Sequence, residues 1–152
     1  MTTYQRVTRE CTLEQLRPEV ASAIHGHVQT HKLEDEVASS LICCETTSTK
    51  QTKRLFSRKV EVTITAVILT PKWLIWAGGK ENEKVGVFSA RLANLRVEDY
   101  EESKMYQMMP DSGLNVFGFQ TGSELGSVFV GFGPEPAADK FRKILKEAMA
   151  QV

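Results

Sequence analysis

No stretch of this chain approaches the roughly 18 consecutive apolar residues that a membrane-crossing helix needs. The opening "MTTYQRVTRECTLEQ" lacks the apolar core of a signal peptide, so cytoplasmic residence is the expectation. Net charge is also missing. Nineteen basic and nineteen acidic side chains cancel, so attraction to a polyanion or a membrane has to be local rather than global. The chain has three cysteines, an odd number, and no C-x-x-C pair, which rules out a disulfide framework. G-x-S-x-G, a Walker loop and H-E-x-x-H are all absent. No catalytic residue, metal site or cofactor is therefore assigned, and a non-catalytic protein is expected.

What remains is an ordinary globular composition, 41% apolar over 152 residues, enough for one core. The segment from Cys11 to Leu33 has helical spacing. Thr12 and Gln15 form a capping-box pattern, and Leu13, Leu16, Val20, Ile24 and Val28 recur on one side. Pro18 predicts a short first turn followed by the main helix. Residues 1–36 are read as a helical extension.

From Val37 the period shortens to that of strands. "VASSLICCETT" predicts a first strand. "VEVTITAVIL" alternates, with Val60, Val62, Ile64, Ala66 and Ile68 on one side. "TPK" and "GGKENEK" mark turns around "WLIWA". "VGVFSA", "LRVEDYEE", "LNVFGFQ" and "GSVFVGF" complete seven strands. The links are too short for parallel crossovers, so the expectation is an antiparallel, strongly bent sheet or partly open barrel. From Pro136, Phe141, Ile144, Leu145, Ala148, Met149 and Val152 form a wide apolar helical stripe suited to plug one end. The adjacent Cys43 and Cys44 should face opposite sides of their strand, one in the core and one nearer the surface.

Three segments carry a resemblance: "AVILTPKWLIWAGG", "VFSARLANLRVEDYE" and the closing helix. Over residues 37–152 the chain resembles the pleckstrin-homology-like superfold, nearest to bacterial pleckstrin-homology and GRAM-type domains. The resemblance implies a mainly β scaffold for binding lipid, peptide or protein. Fold alone does not choose among these.

One stretch stands out against the neutral whole. "TKQTKRLFSRK" holds Lys50, Lys53, Arg54, Arg58 and Lys59 within eleven residues, between the first two predicted strands. In lipid-binding members of the resembled family, that loop supplies Lys and Arg to inositol phosphates. Lys50 matches the first position. Arg58 and Lys59 are adjacent rather than spaced, so the stereospecific headgroup pattern is not met. Weaker attraction of clustered cations to anionic lipid or phosphorylated headgroups remains, with Leu55 and Phe56 able to dip into the interface. The alternatives are a solvated loop whose charges pair with "EDYEE" (98–102) or with Glu34–Glu36, and an acidic protein partner. His27 and His31, four apart, are read as packing residues rather than metal ligands. Trp73 and Trp76 load both faces of one strand, which calls for cover on both sides or a contact surface. Met108 and Met109 sit in a loop as a contact surface or as loop anchors. A recognition helix and a stacking platform for nucleic acid are lacking. The expected function is protein interaction or self-association, with peripheral anionic-lipid binding at the inner membrane face as the alternative. The N-terminal helix is expected to dock on the outer face of the chain's own sheet, with packing against the same helix of a second copy as the alternative.

Overall fold

The structure, a computed structural model, describes residues 2–152, with only the backbone of Thr121. Eight strands form two antiparallel sheets. β1 (Thr2–Glu10), β2 (Ile42–Arg54), β3 (Ser57–Leu69), β4 (Trp73–Lys80) and β5 (Gly86–Arg91) lie side by side in that order. β6 (Arg96–Asp99), β7 (Gly113–Thr121) and β8 (Glu124–Gly131) form the second sheet. Helix α1 (Pro18–His31) and the short α2 (Glu34–Ala38) connect β1 to β2. The one-turn α3 (Met105–Met108) lies between β6 and β7, and α4 (Pro136–Met149) closes the chain.

Seven strands follow residue 37, as the spacing predicts, but the total is eight because Thr2–Glu10 is also a strand. It pairs with β2 from Thr2↔Thr52 to Glu10↔Cys44, so residues on both sides of position 37 share one sheet. The segment has strand-forming Thr, Tyr and Val but no apolar face. It is an edge strand with mostly polar side chains, and it carries no hydrophobic alternation to read. The strand expected at Val37 begins instead at Ile42. Glu34, Asp35 and Glu36 sit in the first turn of α2, where the helix dipole favours carboxylates, and Val37 and Ala38 complete that helix.

The first sheet is buried on both faces. On one, Leu16, Val20, Ile24 and Val28 pack with Cys43, Ile64, Ala66, Ile68, Ile75 and Ala77. On the other, Cys44, Val67, Leu69 and Leu74 meet Leu114, Val116 and Val130 of the second sheet and Phe141 and Leu145 of α4. Strands buried on both sides lose the alternation of a half-exposed strand. Val67 and Leu69 are thus as buried as Ile64 and Ile68. Cys43 and Cys44 do face opposite sides, but both sides are core, so both are buried.

Thr12 and Gln15 make the capping box around a single 3₁₀ turn, and α1 starts afresh at Pro18. Glu45, buried in β2, fixes that start. One carboxylate oxygen accepts the Arg17 N–H at 2.9 Å and the other takes the Arg9 guanidinium. The β1 edge is tied to the far end of the chain. Arg6 pairs with Asp111, the Thr8 hydroxyl accepts the Gly133 N–H at 2.8 Å, and Glu135 accepts the Thr8 N–H. β7 carries a bulge between Phe117 and Phe119. Gly118 sits there at φ +111°, and a Cβ would meet the Asn94 carbonyl at 2.4 Å, so only glycine fits.

Helix α1 therefore docks on the chain's own sheet, nearest β4 and β5. Ile24 is fully buried at the centre of that contact. Ile24→Ala should cost about 2–5 kcal/mol by cavity formation and lower the thermal midpoint by several degrees while leaving secondary structure intact. An unchanged midpoint would mean that α1 is not packed on the sheet in solution.

Candidate functional site

β2 and β3 are each thirteen residues long and pair without interruption from Ile42↔Leu69 to Arg54↔Ser57. β4 covers β3 only as far as Thr63↔Lys80. The last six residues at the N-terminal end of β3, about 20 Å of strand at 3.3 Å per residue, extend past β4. Leu55 and Phe56 form the two-residue turn at the tip. The basic stretch is therefore not a loop, as the sequence suggested, but the end of a hairpin. Strand-forming Thr residues at 46, 47, 49 and 52 carry β2 through it.

Alternation divides the charges between two faces. Lys50, Arg54 and Lys59 share one face with Thr52, Ser57 and Glu61 and line a shallow cavity of about 300 Å³. Lys53 and Arg58 are cross-strand partners on the other face. Lys59 bonds Glu61 at 2.9 Å and holds its carboxyl below the ordinary value. Arg58 donates to the Gln51 side chain at 3.0 Å, and the Lys50 ammonium lies 5.7 Å from the centre of the Tyr4 ring. At the tip, Leu55 is 89% and Phe56 95% exposed. All five cations and both apolar residues singled out in the sequence thus converge on one projecting element.

Of the acidic partners expected for these charges, Glu98, Asp99 and Glu101 are engaged elsewhere. In "EDYEE", Asp99 bonds Arg142 at 2.7 Å and Lys146 at 2.8 Å, and Glu101 bonds Arg142 at 3.0 Å. Both cations belong to α4. Glu98 accepts from Asn115. The reason is topological: β6 lies in the second sheet, and Asp99 at its end, with Glu101 just beyond it, points at the closing helix.

The tryptophans are packing residues. Trp73 sits at the edge of the α1 contact, with the Arg91 guanidinium 5.5 Å from its ring centre. Trp76 faces the other core and stacks on Phe88 at 5.6 Å. His27 and His31 stack at 4.0 Å, and His27 Nε2 lies 2.7 Å from the Ser89 hydroxyl. Burial, and secondly the neighbouring His31, lower the His27 pKa. Among the described residues no cluster of three or more His, Cys, Asp or Glu could hold a metal ion. No helix there is long and apolar enough to cross a membrane. Sequence reasoning missed Arg6, Glu45 and Cys11. Each acts through a partner at least 28 residues away, and no local pattern signals such pairs.

No family model, curated protein or solved structure matches the chain.

The Asp99 site yields a pH prediction. Burial opposes ionisation of Asp99, but bonds from Lys146 and Arg142 outweigh it and hold the pKa below the ordinary value. A lowered folded-state pKa contributes stability that is present above the unfolded value, about 3.9, and lost as pH falls through the folded one. Asp99→Asn should lower stability at pH 7 by about 1–3 kcal/mol and flatten the loss of stability below about pH 4. Urea unfolding at pH 7 and pH 3 checks both. Parallel acid limbs in the two proteins would show that Asp99 is not an acid-sensitive tie.

Proposed function

We propose that this chain is a non-catalytic binding module of pleckstrin-homology-like architecture, and that the β2–β3 hairpin docks it on an anionic lipid surface. The observation that carries this reading is the exposed Leu55–Phe56 turn flanked by Lys50, Lys53, Arg54, Arg58 and Lys59. Two large apolar side chains held in water at the tip of a projection are stabilised by insertion among lipid headgroups. Cations just behind them lie at the level of the phosphates, where each contributes about 1 kcal/mol toward an anionic leaflet. The pleckstrin-homology-like reading rests on the order of elements. Four strands from β2 to β5, three from β6 to β8 and a closing helix follow one another, with β1 and α1 as additions. The spaced basic pair of headgroup-specific members is missing, so attraction by charge density rather than by one headgroup is expected. Such a module works at the cytoplasmic face of a membrane.

A second reading, protein interaction or self-association, is favoured by a different surface. Met105, Met108 and Met109 are exposed in and beside α3, and flexible thioethers suit an adaptable contact.

Cosedimentation with vesicles separates the two. Binding to vesicles containing phosphatidylserine should be clear at low salt, weaken at moderate salt, and be absent on neutral vesicles. Replacing Lys53, Arg54, Arg58 and Lys59 together by Ser should weaken it by about a hundredfold or more, at about 1 kcal/mol per charge. Leu55→Ser with Phe56→Ser should weaken it with the charges intact. No binding to acidic vesicles at low salt would overturn the lipid reading and leave the protein-interaction module.

A further inference from the structure

Cys11 lies one residue beyond the last β1–β2 pair, Glu10↔Cys44, and its N–H donates to the Cys43 carbonyl at 3.0 Å. It therefore faces Cys43 directly across two strands, and the two sulfurs are 4.0 Å apart. Adjacent antiparallel strands hold Cα atoms about 5.5 Å apart at such a pair, within the span a disulfide bridges. Both thiols line a cavity of about 620 Å³ between α1, α2 and the β1–β2 end of the sheet. Exposed Glu14, His25 and Glu34 also line it, so the cavity reaches the surface. Cys44 lies in the opposite core, its sulfur 3.9 Å from the Ala137 carbonyl, and cannot reach either thiol.

We propose that Cys11 and Cys43 are a dithiol modification site, oxidised by hydrogen peroxide to a cross-strand disulfide that locks the end of β1, and the approach to α1, onto β2. The carboxylates around the cavity disfavour anionic disulfide reagents but not a small neutral peroxide. The electron count closes in two steps. Cys11 sulfur, as thiolate, attacks one peroxide oxygen. The O–O bond breaks, hydroxide leaves and takes up the thiol proton as water, and Cys11 becomes a sulfenic acid. Cys43 sulfur then attacks the Cys11 sulfur. The S–S bond forms, the S–O bond breaks, and the Cys43 proton leaves with the hydroxyl as a second water. Two thiols have lost two electrons and two protons, and one peroxide has become two waters. The assignment of roles follows the environment. The Cys43 S–H bond, outweighing burial and aided by Arg9, lowers the Cys11 pKa, whereas bonding to Cys11 and burial push Cys43 upward. Cys11 is the attacking sulfur and Cys43 the resolving one.

The test exposes the native full chain to hydrogen peroxide, quenches it, and measures intact mass and thiols in denaturant. The expected result is a loss of about 2 Da, two hydrogens, and a fall from three thiols to one. Cys44→Ser should show the same mass loss, and its non-reducing digest should contain the Cys11 peptide joined to the Cys43 peptide. Cys11→Ser and Cys43→Ser should each lose no hydrogens. The oxidised wild-type chain should melt several degrees higher and return to the reduced midpoint with dithiothreitol. A thiol titre that stays at three, a mass that only gains oxygen, or a bridge to Cys44 would overturn the proposal. An unchanged or lower midpoint on oxidation would overturn the locking role.

Discussion

The centre of the first sheet is apolar on both faces, and everything else is arranged around closing both. Ile64, Ala66 and Ile68 alternate with Val67 and Leu69 along β3, and Leu74 alternates with Ile75 and Ala77 along β4. A single cover would leave one of these sets in water. Sheets with a cover on each side are ordinarily built from parallel strands with helical crossovers. Here the strands are antiparallel, so the covers come from the two ends of the chain. Helix α1 seals one face before the sheet's central strands have been reached in sequence, and β6–β8 with α4 seal the other after them. The contacts of Arg6, Thr8 and Glu45 hold the early segment in that position. Past the end of β4, β2 and β3 continue with only β1 beside them, as far as Thr52, and their side chains turn polar and cationic.

Much of this was legible. The helical stripe from Leu13 to Val28 and the one from Phe141 to Met149 predicted two docked helices, because amphipathic periodicity survives in a helix with one buried face. The proline at 18 and the capping box placed the start of α1 within a residue or two. The bulk on both faces of "WLIWA" signalled two-sided burial, which the structure has. β1 was not legible. Its packing is an edge pairing plus polar ties to residues more than a hundred positions away, including Arg6 with Asp111 and Thr8 with Gly133. Only the fold brings those partners together.

The candidate site was legible as a composition but not as a shape. Five cations in eleven residues were visible, whereas the tip position of Leu55 and Phe56 depends on β2 and β3 staying paired for their full length. The turn has no Asn-Gly or Asp-Gly signature to announce it. Of the acids nearest in character, 98–102, Asp99 and Glu101 pair with α4 instead. The dithiol illustrates the same limit. Cys43 and Cys44 drew notice because they are adjacent, yet the thiol that meets Cys43 is Cys11, thirty-two positions earlier.

The central claim is that a core sealed on two faces carries a bare hairpin as its contact element. Amide hydrogen exchange with and without acidic vesicles tests it in one experiment. Without lipid, amides of residues 64–69 and 74–77 should exchange slowest, near the global unfolding limit, and those of 53–60 fastest within the sheet. With acidic vesicles, protection should rise at 53–60 and nowhere in the sealed core. Fast exchange at 64–69, or new protection spread over α1 or the second sheet instead of the hairpin, would contradict the account.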